Sequence, residues 1–129
     1  MRVLIVSAIL LAGTASAQDA VRGMDVFANH CATCHGVSAM GDGPMSSVLA
    51  EPPADLSVLA SENGGVFPMA RVVRRVDGSG EVLAHGGPMP LWGMILDGPS
   101  AVVVAPDGAE IVAPEAIVDV AEWLKTVQR

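Results

Sequence analysis

The chain has 129 residues and a net charge of −7, and its aromatic side chains are limited to two Phe and two Trp. This length is enough for one small domain. The acidity argues against a nucleic-acid partner, because phosphate contacts require basic patches. With so few aromatic residues, the side chains alone make an aromatic-poor core.

The first 17 residues have the parts of an export signal: the basic Arg2, an apolar run over 3–12, and small residues ending at Ala17. The alternative is a retained membrane anchor, but the run is about half the roughly 20 residues that span a bilayer. We therefore predict cleavage after Ala17, leaving 18–129 as the mature domain, with no stable membrane insertion. Without Arg2, six basic residues face fourteen acidic ones, a net charge of −8.

A helix is predicted directly after this segment, over 20–30. Asp19 is a suitable N-cap, and apolar residues recur at helical spacing. The face predicted to be apolar carries Val21, Met24, Phe27 and Ala28.

The next five residues, Cys31-Ala32-Thr33-Cys34-His35, form the pattern C-x-x-C-H, which is typical of c-type haem attachment. Each thiol can add to a haem vinyl group, and His35 is then held beneath the iron as its proximal ligand. A thioredoxin-like redox pair does not need the adjacent histidine, and a zinc site lacks further cysteines. A disulfide here would close only a small loop. We predict one haem c, covalently bound through Cys31 and Cys34. It would also supply the large apolar centre that the side chains lack.

The middle of the chain contains less regular structure. Residues 36–55 are rich in Gly, Pro and Asp and predict a loop that wraps the haem. A short helix is predicted over 71–76, and a second Gly/Pro-rich loop over 81–93.

Two β-branched runs, 101–104 and 109–112, flank the turn sequence Ala-Pro-Asp-Gly at 105–108 and predict a β-hairpin. Pro114 then begins a helix that reaches Val127. Its apolar positions recur at three- and four-residue spacing: Ile117, Val120, Trp123, Leu124 and Val127.

Gly23, Phe27 and Cys31 fall at four-residue intervals, and Val120 and Trp123 stand three apart near the end of the chain. In both features, and at CATCH, the chain resembles class I c-type cytochromes, the family of bacterial periplasmic monohaem carriers. The resemblance implies an all-α fold wrapped around one haem, with the glycine allowing the first and last helices to cross closely. The segment 99–114 departs from the family pattern, so the hairpin is expected to be an insertion.

An electron-transfer haem needs a sixth ligand opposite His35, and a thioether there favours ferrous iron. Met1 is removed with the signal, Met24 lies on the first helix, and Met40 and Met45 are too close to His35. Met69, Met89 and Met94 remain, and His85 on the same loop as Met89 is the competing ligand. The resemblance favours Met89, because a Met-Pro pair in a Gly/Pro-rich loop is similar to the family's distal ligand motif. Met69 and Met94 are then expected to pack against the haem edge.

The surroundings of the iron site can be partly assigned. A ligating histidine normally donates its second ring N–H to a carbonyl group, and the resemblance puts that carbonyl on Pro44. Trp92 is expected to donate its indole N–H to a haem propionate. Arg71, Arg74 and Arg75 form the only basic cluster; one of them would suit a propionate, and a solvated helix face explains them equally well.

These features predict a periplasmic electron carrier rather than an enzyme, because an iron bound by histidine and methionine has no vacant position. Two alternatives remain. One is a haem c subunit that delivers electrons within a dehydrogenase or oxidase complex. The other is a small haem enzyme or gas sensor with an open distal site, for which His85 would be the acid–base group. The negative charge of the chain would steer redox proteins with a basic docking surface towards it, most strongly at low salt.

Overall fold

The computed structural model describes residues 19–80 and 89–129. In this part of the chain no helix is long and apolar enough to span a bilayer. The described residues form four α-helices and one small antiparallel hairpin, and short 3-10 helices cover 56–58, 61–63 and 92–94. The α-helices are α1 (Ala20–His30), α2 (Ala32–His35), α3 (Met69–Asp77) and α4 (Glu115–Thr126), and the strands are β1 (Ser100–Val104) and β2 (Glu110–Pro114).

The start of α1 is set by its N-cap, as predicted. The carboxylate of Asp19 accepts hydrogen bonds from the backbone N–H groups of Val21, at 2.8 Å, and Arg22, at 3.3 Å. These two N–H groups have no acceptor within the helix, so the cap satisfies them.

The buried face of α1 differs from the predicted one. Phe27 is buried as expected, but Val21 is 67% exposed, Met24 is 47% exposed and Ala28 is exposed as well. The residues that face the core are Gly23 and Phe27, followed by Cys31 at the end of the helix. Hydrophobicity did not indicate this face because its central residue is a glycine, which lies where α4 crosses.

Gly23 allows the backbones of α1 and α4 to meet. A Cβ atom at this position would overlap the backbone carbonyl of Asp119 and approach the nitrogen of Val120 to 2.9 Å. Beside this contact the rings of Phe27 and Trp123 pack with their centroids 4.4 Å apart. The close crossing implied by the resemblance to class I cytochromes is therefore present.

A buried carboxylate joins the same two helices. Asp119 is only 2% exposed, and its Oδ1 accepts the backbone N–H of Asp19 at 2.7 Å. Its Oδ2 lies 3.1 Å from the guanidinium of Arg22, which also binds Glu115 at 2.7 Å. A hydrogen bond and an ion pair thus compensate the burial of this charge.

The hairpin forms where it was predicted and packs against α3 and α4. Its strands pair Ala101 with Ala113 and Val103 with Ile111, and these four side chains are buried. The alternate residues Val102, Val104 and Val112 are exposed, as the two-residue period of a strand requires. Since the hairpin covers a side of α4 that α1 leaves free, α4 is buried almost all round, including Ile117, Val118 and Leu124.

The middle of the chain also follows the prediction. Residues 36–55 contain neither helix nor strand. The predicted helix over 71–76 is α3, which is longer by two residues at its start and one at its end. The predicted all-α fold with a small hairpin near 101–112 is confirmed, and the strands observed there are Ser100–Val104 and Glu110–Pro114.

Candidate haem-binding site

A cavity of about 600 Å³ opens beside the crossing of α1 and α4. Its volume falls in the range of small-molecule and cofactor sites. The cavity wall is built from helices and loops that are far apart in the sequence. It is formed by α1 (Phe27, His30), the CATCH segment (Cys31, Cys34, His35), the loop 49–59 (Leu49, Glu51, Pro52, Pro53, Ala54, Leu56, Leu59), α3 (Arg71, Val72, Arg75, Val76), the segment 89–92 (Met89, Pro90, Trp92) and α4 (Val120, Leu124).

The two cysteines stand at the cavity because the chain turns directly after α1. The backbone N–H of Cys31 still bonds to the carbonyl of Phe27, at 2.8 Å, and Cys31 is also the residue from which α2 begins. Burial, and secondarily the nearby Cys34, raise the pKa of the Cys31 thiol to about 11. The sulfur is therefore uncharged near neutral pH, which suits a buried position. Neither cysteine is in a disulfide.

The second ring nitrogen of His35 has a backbone acceptor, but not the expected one. Nδ1 of His35 lies 3.0 Å from the carbonyl oxygen of Ala54. The resemblance had implied Pro44, which is exposed and does not line the cavity. A carbonyl oxygen can only accept, so the proton of this bond is on Nδ1 and Nε2 keeps its lone pair for a metal ion.

The fold of the loop after His35 explains this difference. The N–H of Gly41 bonds to the carbonyl of His35, at 2.8 Å, and a Cβ atom on Gly41 would lie 2.5 Å from the carbonyl oxygen of Pro53. With φ of +80°, Gly41 also adopts a conformation that favours glycine. The loop thus closes tightly enough for the segment 52–54 to pass beside His35, and Ala54 reaches the imidazole in place of Pro44.

Met89 is the methionine that lines the cavity; the other five in the described ranges do not. Two of these five had been expected to pack against the haem edge. Instead, Met69 packs against the hydrophobic core and Met94 is 80% exposed. The competing ligand candidate, His85, lies outside the described residues.

Trp92 is half-buried on the cavity wall, in the short 3-10 helix 92–94. Its ring packs edge-on against His30, with centroids 5.5 Å apart. Among the residues that the structure describes, no group accepts a hydrogen bond from its indole N–H, which leaves this donor available to a ligand in the cavity.

The structure adds two groups of residues that sequence reasoning did not assign to the site. One is the segment 52–54. The other is the face of α3 that carries Arg71 and Arg75, one helical turn apart, while Arg74 does not line the cavity. The spacing of Arg71 and Arg75 beside Val72 and Val76 was visible in the sequence as one helical face. The role of Ala54 left no such signal, since any residue supplies a carbonyl.

The residues of the cavity fit a covalently bound haem. Two thiols lie at one wall, beside an imidazole with a free Nε2. Side chains such as Phe27, Val76, Val120 and Leu124 provide the apolar contact that a porphyrin requires, and cationic and N–H donor groups are present for its carboxylates. A thioether sulfur, on Met89, lines the same cavity.

Comparison with known proteins agrees with this chemistry. The family model described as Cytochrome c matches residues 20–128, which is most of the chain. No curated protein and no solved structure gives a significant match. With this match, the haem attachment sequence and the crossing of the first and last helices, the chain belongs to the cytochrome c family, whose members bind haem and transfer electrons.

Proposed function

We propose that this protein is a periplasmic carrier of single electrons, with one haem c attached through Cys31 and Cys34 and ligated by His35 and Met89. The observation that carries the proposal is the cavity itself, because thiols, imidazole and thioether line one apolar space. The haem iron, once bound, supplies a one-electron couple between its ferric and ferrous states.

The residues of the chain have separate tasks in this proposal. Cys31 and Cys34 hold the group covalently, and the bond to Ala54 fixes the ring of His35 and makes Nε2 a stronger ligand. The thioether of Met89, a neutral ligand, favours the ferrous state. The surrounding apolar side chains keep water from the site, which limits the solvent reorganisation that accompanies a change of charge.

The proposed location and partners rest on the sequence. Residues 1–17 have the form of a cleaved export signal, and covalent haem attachment takes place outside the cytoplasmic membrane. The net charge of −8 on the remaining chain would steer it towards redox proteins with a basic docking surface. Whether it works as a free carrier or as a subunit of a dehydrogenase or oxidase complex, the proposed chemistry at iron is the same.

Replacement of the sixth ligand tests the proposal. Met89→Ala is expected to keep the haem attached but to leave the iron open, so that the reduction potential falls and carbon monoxide binds the ferrous protein readily. Met94→Ala is the matched control, since Met94 is in the same region but is exposed and away from the cavity. It should leave both properties unchanged.

The competing reading predicts a different pattern. If His85→Ala opens the iron and Met89→Ala does not, His85 is the ligand. Ready binding of carbon monoxide by the unaltered ferrous protein would favour a haem enzyme or gas sensor with an open distal site. Either result would overturn the assignment of Met89.

A further inference from the structure

The arginines of α3 differ from every other basic residue that the structure describes. Arg22 pairs with Asp19, Glu115 and Asp119, Lys125 pairs with Glu122, and Arg129 pairs with Asp55. In a chain with twice as many acidic as basic residues, such pairing is expected. Nevertheless, Arg71, Arg74 and Arg75 form no ion pair or hydrogen bond within 19–80 and 89–129.

Two of these three arginines are placed at the cavity. Arg71 and Arg75 are four residues apart on one face of α3 and line the cavity, whereas Arg74 does not. Arg71 and Arg74 are both exposed. Val72 and Val76 on the neighbouring positions line it too, so the whole of this helical face is turned to the site. Arg75 is half-buried, which removes part of its hydration and makes a charged partner more valuable.

The covalent geometry of haem determines where such a partner arises. The vinyl groups and the propionates are at opposite edges of the porphyrin. Attachment through Cys31 and Cys34 therefore directs the two carboxylates away from the cysteines, towards other walls of the cavity. Arg71 and Arg75 are the only arginine or lysine side chains among the described lining residues, and Glu51 is the one carboxylate.

We propose that Arg71 and Arg75 bind the haem propionates and thereby raise the reduction potential. This inference rests on the proposed function, because it requires the attached haem. Guanidinium groups form short, charge-assisted hydrogen bonds with carboxylates. The positive charge of the arginines offsets the negative charge of the propionates. That negative charge would otherwise stabilise the ferric state.

The test compares four single variants of the holoprotein with the unaltered protein. Arg71→Gln and Arg75→Gln are each expected to lower the potential, with the ferrous state losing roughly tenfold in stability relative to the ferric state, or about 59 mV for a one-electron couple. Arg74→Gln removes the same charge from the same helix and should shift the potential far less. Arg75→Lys keeps the charge and should restore most of the lost potential.

A second readout concerns pH. A propionate paired with an arginine has a lowered pKa. In the variants that lack an arginine, the propionate pKa should therefore rise, and the pH range over which the reduction potential changes should move upwards relative to the unaltered protein. A purely structural role of the arginines would not produce this change.

Each contrary outcome is distinct. Equal shifts in Arg74→Gln and Arg75→Gln would overturn the proposal in favour of a general charge effect. An unchanged potential with an altered rate towards a redox partner would overturn it in favour of a docking role. If the unaltered protein holds no covalent haem, the proposed function fails first, which the cysteine experiment below detects separately.

Discussion

The crossing of α1 and α4 and the cavity beside it use the same two helices in different ways. At the crossing, Gly23 lets backbone touch backbone, and the rings of Phe27 and Trp123 pack at a tilt. In the cavity, Phe27 again and Val120 face a space of about 600 Å³ that the chain does not fill. One region is completed by the protein alone and the other requires a cofactor. The two should therefore respond differently to mutation.

The largest effect is expected from removing the attachment. In the double variant Cys31→Ala/Cys34→Ala, acid-acetone should extract any haem from the denatured protein. The chain should also fail to fold stably. Cavities left by a single deleted side chain already cost about 3 to 5 kcal/mol, and this cavity is far larger. Haem retention and far-UV circular dichroism measure the two outcomes. Haem that extracts freely from the unaltered protein would contradict covalent attachment.

The second-largest effect is expected from a substitution that disrupts the crossing of α1 and α4. Gly23→Ala should destabilise the holoprotein by about 1 to 3 kcal/mol, because the added methyl group meets the backbone of Asp119, which cannot rotate away. Helix propensity alone predicts the opposite sign, a gain of about 1 kcal/mol. Urea unfolding measures the difference, and the haem spectrum should be unchanged.

The exposed residue Ala28 on the same helix supplies the control. Ala28→Gly should cost about 1 kcal/mol through helix propensity. If Gly23→Ala proves stabilising, the helices can separate at little cost and the close crossing is not required.

The smallest effect concerns the loop that holds Ala54. Hydrogen bonds from the hydroxyl and backbone N–H of Ser57, with a further contribution from Arg129, lower the pKa of Asp55. Its contribution to stability is thus present above the ordinary carboxyl pKa of about 4 and is lost as the pH falls through the lowered value. Asp55→Asn should therefore be less stable than the unaltered protein at pH 7, and the difference should shrink at pH 3.

Urea unfolding at the two pH values checks this prediction. Glu62→Gln is the control, since Glu62 is exposed and forms no ion pair or hydrogen bond with the residues that the structure describes. A difference between Asp55→Asn and the unaltered protein that persists undiminished at pH 3 would contradict the assignment.

The difference between the helix crossing and the cavity also explains which parts of the structure could be predicted from the sequence. Sequence reasoning located α4 well, because this helix packs against protein on most sides and its hydrophobic period is visible. Hydrophobic periodicity misassigned the buried face of α1, because the contact there depends on the absence of a side chain at Gly23, which only the resemblance to class I cytochromes indicated. The cysteines and His35 were found since haem attachment uses a contiguous pattern.

The remainder of the site depends on how loops fold back. Ala54 reaches His35 only through the tight closure around Gly41, and no periodicity encodes that path. The arginines of α3 were noticed as a basic cluster, but which of them line the cavity depends on the orientation of the helix. Contacts between loops that are distant in the sequence are thus the part that local patterns do not predict.

The crossing also has a consequence for the order of events during synthesis. The face of α1 that carries Phe27 and Cys31 packs against a helix that ends at Thr126, 95 residues after Cys31. At roughly 5 to 20 residues per second, that helix is completed about 5 to 20 seconds after Cys31 is made. Throughout this interval the thiol lacks the packing that raises its pKa in the folded chain. The crossing therefore cannot form until nearly the whole chain has been made, and the burial that raises the pKa of Cys31 is complete only after α4 has packed against α1.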